Sequence, residues 1–217
     1  IQKYAFRKYK IKTVENKHTH LVPEELEQLE RLSLTDKHMK LQKSLDAFLF
    51  CCYAGMRYSD FTNLSKKNIV DINQETWLIY KSVKTGTEVR LPLYLLFAGK
   101  GIVILNKYRN NLEDFFRLRD NSNINKDLII IAKLAGLSKK ISFHTARHTN
   151  ATLLIYNGVN ITTVQKLLGH KSVKTTQVYT NIMDMTIVHD LEKMKQAALG
   201  IKKRQITALI SSKQVIL

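Results

Sequence analysis

A chain of 217 residues is long enough to bury a core of its own, and one large domain is the simplest count. Its 35 Lys and Arg against 18 Asp and Glu leave a formal charge of +17, a field that favours a polyanion, nucleic acid being the commonest, although a ribosomal or membrane-surface protein would share it. No apolar run approaches the ~20 residues needed to cross a bilayer and no secretory leader opens the chain, so the expected location is the cytoplasm.

The positive charge is uneven. Lys3, Arg7, Lys8, Lys10, Lys12 and Lys17 crowd residues 1–20, which read either as a basic arm or linker lying along phosphates or as a disordered lead-in. The opening at Ile1, without a methionine, suggests a processed or shortened fragment. Pro23 followed by Glu24 and Glu25 predicts a helix start, with Leu26, Leu29 and Leu32 as its apolar stripe. A second helix is predicted from about Asp36, carrying Leu41, Leu45, Phe48, Leu49, Cys52 and Tyr53 and ending at Gly55. The adjacent Cys51 and Cys52 on that apolar helix read as reduced core thiols and not as a disulfide framework. Extended runs are predicted near Trp77 to Lys81 and Glu88 to Leu93, joined by a turn at Lys84-Thr85-Gly86 that puts Lys84 at a mobile hairpin tip.

Helices are predicted again from about Ile102 to Leu118, near Asp127 to Ala135, and from about Ser142, where a three-residue interval puts His144 and Arg147 on one face. Asn160 or Thr162 can cap a short helix that Gly169 ends, delivering His170 from a loop. Tyr179 follows on another short helical segment, and Ile187, Leu191, Met194 and Ala198 form an amphipathic stripe. With 8 Gly and 2 Pro there are few interruptions, which fits a helix-rich fold.

The residues able to do chemistry are Arg57, Lys84, His144, Arg147, His170 and Tyr179. Two arginines can each grip a phosphate through a planar fork of N–H donors, and two histidines can move protons or donate to a developing oxyanion. A tyrosine adds a nucleophile of pKa about 10, weak until its proton is removed or its phenolate is stabilised by cations. Together they describe a site for one phosphodiester. Each has a plainer reading: arginines and lysines of a basic chain usually lie on solvated surface, and a tyrosine is ordinarily a packing residue. His144 and His148 stand four apart, as zinc ligands often do, but the glutamate of an H-E-x-x-H site is absent and two thiols side by side in a core are poor additional ligands, so His148 reads as structural or supporting.

The order of these segments resembles the tyrosine recombinase (phage integrase-like) family. Ala54-Gly55-Met56-Arg57-Tyr58-Ser59-Asp60 is similar to its first arginine box, and Val83-Lys84-Thr85-Gly86 followed by Val89-Arg90-Leu91-Pro92-Leu93 to its lysine-bearing hairpin. Phe143-His144-Thr145-Ala146-Arg147-His148 resembles the H-x-x-R box, Leu167-Leu168-Gly169-His170-Lys171-Ser172 the next box, and Thr175-Thr176-Gln177-Val178-Tyr179-Thr180 the tyrosine segment. The resemblance covers roughly residues 20–195 and implies an α+β, mainly α catalytic domain with a small antiparallel sheet. In domain terms it implies the catalytic domain over 21–200, the basic arm over 1–20 and a tail over 201–217. Such recombinases usually carry a helical DNA-binding domain ahead of the catalytic one, so the chain resembles the catalytic half alone. Asn150 departs from the larger apolar residue often found there, which bears on packing. In the tail, Ile206, Leu209, Ile210, Val215, Ile216 and Leu217 would be awkward in water, which suggests docking in cis or onto a neighbouring subunit, or else a frayed end.

By this resemblance the activity is site-specific DNA cleavage and rejoining through a 3′-phosphotyrosyl intermediate, in integration or excision of a mobile element. Arg57, Arg147 and His170 would hold the scissile phosphate, Tyr179 would attack it, and Lys84 would protonate the leaving 5′-oxygen. His144 would act as general base or acid around the tyrosine, and Asp60 would orient its neighbours. No cofactor and no metal are implied. The partners are double-stranded DNA, further copies forming a homotetramer on paired sites (a monomer when DNA-free) and accessory DNA-bending proteins, with association with the nucleoid when bound. Chromosome-dimer resolution, a type IB topoisomerase and a catalytically silent DNA-binding module are the alternatives.

Overall fold

The structure, a computed structural model, describes residues 19–179. The basic arm up to residue 18, the amphipathic stripe from Ile187 and the tail over 201–217 lie outside the described residues.

Helix α1 (Pro23–Glu30) begins where a proline pre-sets φ and Glu25 turns back to accept from the Val22 N–H at 2.9 Å. Its Leu26 and Leu29 are buried, as predicted, and Leu32 packs against the same core. The next helix differs from expectation at its start: Asp36–Leu41 is a 3₁₀ turn, and α-helix α2 runs over Gln42–Ala54. The tighter turn is solvent-exposed, and α winding starts where Leu41 brings the chain into the core. From Ser44 to Ala54 every residue of α2 is buried, so this helix is the axis around which the rest packs. Cys51 and Cys52 are free thiols inside it, and burial pushes both well above the ordinary thiol range. The one carboxylate on this stretch, Asp46, is met by Lys107 Nζ at 2.9 Å and the Tyr108 hydroxyl at 2.8 Å.

After α3 (Tyr58–Thr62) comes an antiparallel sheet of β1 (Ile69–Ile72), β2 (Glu75–Lys81) and β3 (Glu88–Pro92) in that order. β1 was not expected. It joins β2 through Asn73 and Gln74, both at positive φ as a two-residue hairpin turn requires. On the inner face Leu78 lies opposite Leu91 and Tyr80 opposite Val89, all four buried.

The single helix predicted over 102–118 is two, α4 (Lys100–Lys107) and α5 (Leu112–Phe116). The Asn111 side chain accepts from Asp114 N–H and starts the chain in a new direction, which turns Phe115 and Phe116 into the core. There Phe61, Phe115, Phe116 and Phe143 meet mostly edge to face, with Phe115 stacked on Tyr108 at 4.1 Å. Helix α6 (Asn121–Leu134) begins six residues earlier than read from sequence, because Asp120 caps it by accepting from Asn123 N–H. Helix α7 (Phe143–Tyr156) is buried from Thr145 to Ile155 and lies along α2. Helices α8 (Ile161–Leu168) and α9 (Lys174–Gln177) close the described fold. It is mainly helical with one small antiparallel sheet, the class expected.

Candidate active site

The C-terminal ends of α2 and α8 and the hairpin between β2 and β3 converge on α7. Helix α2 ends because Gly55 takes the left-handed conformation, φ 68°, and the chain then leaves extended through Arg57, which precedes α3. Asn150 of α7 holds this exit: its amide donates to the carbonyls of Cys52 at 2.9 Å and Tyr53 at 3.0 Å. The departure from an apolar residue at this position therefore serves hydrogen bonding at the helix end. Arg57 reaches Ser82 Oγ at 3.2 Å and Asp60 Oδ2 at 3.5 Å. Asp60, itself buried, accepts from Val83 N–H at 2.8 Å and from the Ser82 hydroxyl at 3.3 Å. One carboxylate thus joins the first arginine to the residue preceding Lys84.

Lys84 is exposed in the turn, as read from sequence, but that turn is tethered. The Thr85 hydroxyl donates to the Gly169 carbonyl at 3.0 Å, so the Lys84 turn is fastened to the turn that delivers His170. Gly169 is required twice over: its φ is +62°, and a Cβ there would sit 2.6 Å from Val89 Cγ2.

Arg147 is 1 % exposed, the largest fully buried side chain described. Its Nη1 donates to Gly55 O at 2.7 Å and its Nη2 to Leu168 O at 2.6 Å. Burial, then the neighbouring Arg57, lowers its pKa to about 10, which leaves it cationic at neutral pH. His170 Nδ1 shares a hydrogen bond of 2.9 Å with the Thr176 hydroxyl. Burial, and after it Arg147, Arg57, His144 and Lys84, pull its pKa down to about 4, so the ring is neutral at physiological pH. Tyr179 follows α9 in a turn and donates its backbone N–H to Thr176 O. Its phenol is 4 % exposed and lies 3.1 Å from His148 Nδ1; burial raises its pKa while Arg147 and then Arg57 oppose that rise. His144 is exposed one turn before His148, the two rings meeting edge to face at 4.6 Å.

The residues singled out from sequence therefore lie within one another's electrostatic reach: Arg57, Lys84, His144 and Arg147 act on His170, and both arginines act on Tyr179. Sequence reasoning did not find Ser82, Thr85 and Thr176, small hydroxyl residues without a pattern of their own, nor the contact of His148 with the phenol. For His148 a signal existed, its place one helical turn after His144. The buried Tyr80 hydroxyl beneath the site has no hydrogen-bond partner among the described residues, and burial, then Asp60, raises its pKa. Among the described residues no group of three His, Cys, Asp or Glu side chains is placed to hold a metal ion.

Residues 20–185 match the model of the phage integrase family. The chain belongs to that family. It is 30 % identical over 181 residues to a tyrosine recombinase of Pseudothermotoga lettingae, an alignment covering 81 % of this chain and 60 % of that protein. It is also 30 % identical over 159 residues to tyrosine recombinase XerC of Rickettsia prowazekii, covering 69 % of this chain and 49 % of the relative. The chain thus spans about half to three fifths of the length of these family members. Among solved structures, XerA recombinase superposes with a TM-score of 0.64 at 26 % identity, over 81 % of this chain and 65 % of that one. A lambda integrase fragment (75–356) bound as a dimer to a COC′ core site shares the fold, with a TM-score of 0.59 at 20 % identity over 74 % of this chain and 58 % of that one. Among the described residues no helix is long and apolar enough to cross a membrane.

Proposed function

We propose that this chain is the catalytic part of a site-specific DNA recombinase that breaks and rejoins strands through a 3′-phosphotyrosyl intermediate. The observation that carries this reading is that Arg57, Lys84, His144 and Arg147, from well-separated segments, all act on His170 while the two arginines also act on the buried Tyr179; family membership supports it. Arg57 and Arg147 take the non-bridging oxygens of one phosphate, and their charge favours the pentacoordinate transition state. A neutral His170 has one N–H to give. If the Thr176 hydroxyl donates to Nδ1, that proton sits on Nε2 and faces the phosphate as a third donor. Tyr179 Oη bonds to phosphorus, the bond to the 5′-oxygen breaks, and Lys84 protonates the leaving oxygen. His144, exposed beside the His148 ring, acts as general acid or base between the tyrosine's surroundings and solvent, and Asp60 holds Arg57 and the lysine hairpin in register. One phosphodiester is exchanged for another, so rejoining needs no ATP.

The partner is double-stranded DNA in the cytoplasm, and the +17 formal charge supports it. A tetramer on paired sites, accessory DNA-bending proteins and a role in moving a mobile element complete the reading; a relative in fold, lambda integrase, is known as a tetramer on a Holliday junction. The reading carries with it a catalytic domain over 21–200, a basic linker or arm over 1–20 and a C-terminal tail over 201–217. The test is covalent trapping on a pool of nicked duplexes with randomised sequence. An adduct that forms with the wild-type chain and disappears in Tyr179→Phe, with DNA binding retained, is expected. Tight binding with no adduct overturns the reading in favour of a silent binding module.

A further inference from the structure

We propose that His148 is a further catalytic residue, the base that takes the Tyr179 proton as the phenol attacks; this rests on the recombinase reading above. His148 Nδ1 lies 3.1 Å from Tyr179 Oη, hydrogen-bonding distance, and both residues are buried, at 8 % and 4 % exposure. A phenol held away from water by its surroundings stays protonated at neutral pH. It needs an acceptor within reach at the moment of attack, and the imidazole is already in place.

The helix explains the placement. His144, Arg147 and His148 stand at i, i+3 and i+4 on α7, a helix buried from Thr145 to Ile155, so the phosphate grip and the base are carried by one element. For Nδ1 to accept from the phenol, the neutral ring must carry its proton on Nε2. Among the described residues, the groups acting on this pair include His144, edge to face with the His148 ring, and the cations Arg147 and Arg57, which act on Tyr179. These cations favour the phenolate, so they help the proton leave oxygen.

The step balances. As the bond between Tyr179 oxygen and phosphorus forms, the phenolic proton moves to His148 Nδ1. The bond from phosphorus to the 5′-oxygen breaks, and that oxygen takes a proton from Lys84. On rejoining, the 5′-hydroxyl gives its proton back to Lys84 and attacks phosphorus, and the imidazolium returns its proton to the tyrosine oxygen.

The test is single-turnover adduct formation by the full chain on the pool of nicked duplexes, comparing wild type with His148→Gln and His148→Ala. Loss of a positioned base is expected to slow adduct formation on the order of 10²- to 10⁴-fold with little change in DNA binding. A ring-fluorinated tyrosine at position 179, which ionises near neutral pH, is expected to restore most of the rate to His148→Gln. A bridging 5′-phosphorothiolate, whose leaving group needs no acid, is expected to rescue Lys84→Ala and not His148→Gln. A purely structural His148 would respond to neither substitution of phenol nor leaving group. A folded His148→Gln that cleaves within about threefold of wild type, or that the fluorinated tyrosine does not help, overturns the proposal. If the wild-type chain forms no adduct, the recombinase reading fails separately, and ¹⁵N spectra of the DNA-free chain still decide this one. Nδ1 must be unprotonated and must shift in Tyr179→Phe; an Nδ1–H tautomer rules the base out.

Discussion

Replacing Asn150 by aspartate changes one atom of the clamp on α2 and leaves its volume alone. The amide of Asn150, 1 % exposed, gives both of its hydrogens to carbonyls, at 2.9 Å to Cys52 and 3.0 Å to Tyr53. A carboxylate there would point negative oxygen at two carbonyl oxygens in a buried place, so the acid must stay protonated. A free aspartate ionises near pH 3.9, and holding it neutral at pH 7 costs about 1.4 kcal/mol for each of about three pH units, or about 4 kcal/mol. The neutral acid has one hydrogen, so one of the two bonds is also lost, at about 1 kcal/mol. The sign follows from the raised folded-state pKa: the penalty is absent below the unfolded value and grows as pH rises toward the folded one. Asn150→Asp is therefore expected to lose about 5 kcal/mol at pH 7 and about 1 kcal/mol at pH 4, relative to wild type at the same pH. Urea unfolding at both pH values, with unchanged m, measures it. Asn150→Ala, which loses both bonds and leaves a small cavity, should show a deficit that does not vary with pH. A loss in Asn150→Asp that is below about 1 kcal/mol at pH 7, or that is equal at the two pH values, would refute the clamp.

Thr176→Val keeps the shape and removes the partner of His170 Nδ1; adduct formation should fall on the order of tenfold with binding intact, and ¹⁵N spectra should show His170 as a mixture of tautomers. Thr85→Val cuts the bond to Gly169 O, and hydrogen exchange of the amides from Val83 to Thr87 should quicken on the order of fivefold while the core amides keep their protection. Because the folded His170 has a pKa of about 4 against 6.5 for the free ring, the unfolded chain takes up this proton first. Stability should fall as pH drops from 6.5 through about 4, and His170→Asn should flatten that part of the urea-midpoint profile.

How far these features could be read from sequence depended on whether a local pattern carried them. Helices α1, α2, α7 and α8 announce themselves through Pro23, Gly55, Ser142 and Asn160 at their ends and through apolar periodicity between. Strand β1 escaped because Ile69–Ile72 is only four residues long and has no fully buried position, so no alternation of buried and exposed residues marks it. The break before α5 escaped because an asparagine in a polar run looks the same whether or not it caps a helix, and the decision lies with Phe115 and Phe116 finding the core. At the site, residue identities and order were legible, but contacts between distant segments were not. Nothing in Lys84-Thr85-Gly86 says that its hydroxyl will meet Gly169, and nothing in Thr176 says that it will meet both His170 and Tyr179. His148 read as a supporting residue because burial on a helix facing the core is the ordinary fate of such a histidine.

Arg147 shows why core and site are inseparable in this fold. A guanidinium at 1 % exposure would be intolerable without compensation, and the compensation comes from backbone. Gly55 O and Leu168 O stand at the C-terminal ends of α2 and α8, where helix dipoles leave partial negative charge and where left-handed glycines at 55 and 169 stop the chain from continuing. The cation thus satisfies two helix ends that lie far apart in sequence and ties them to α7. A guanidinium carries five N–H donors, so these two bonds leave others for an anion. With Arg57 held nearby through Asp60, binding one phosphate would relieve the repulsion between two cations that the fold has already brought together. The positive charge of the site is therefore installed when the core forms, and an anion that binds there meets cations whose electrostatic cost folding has already met.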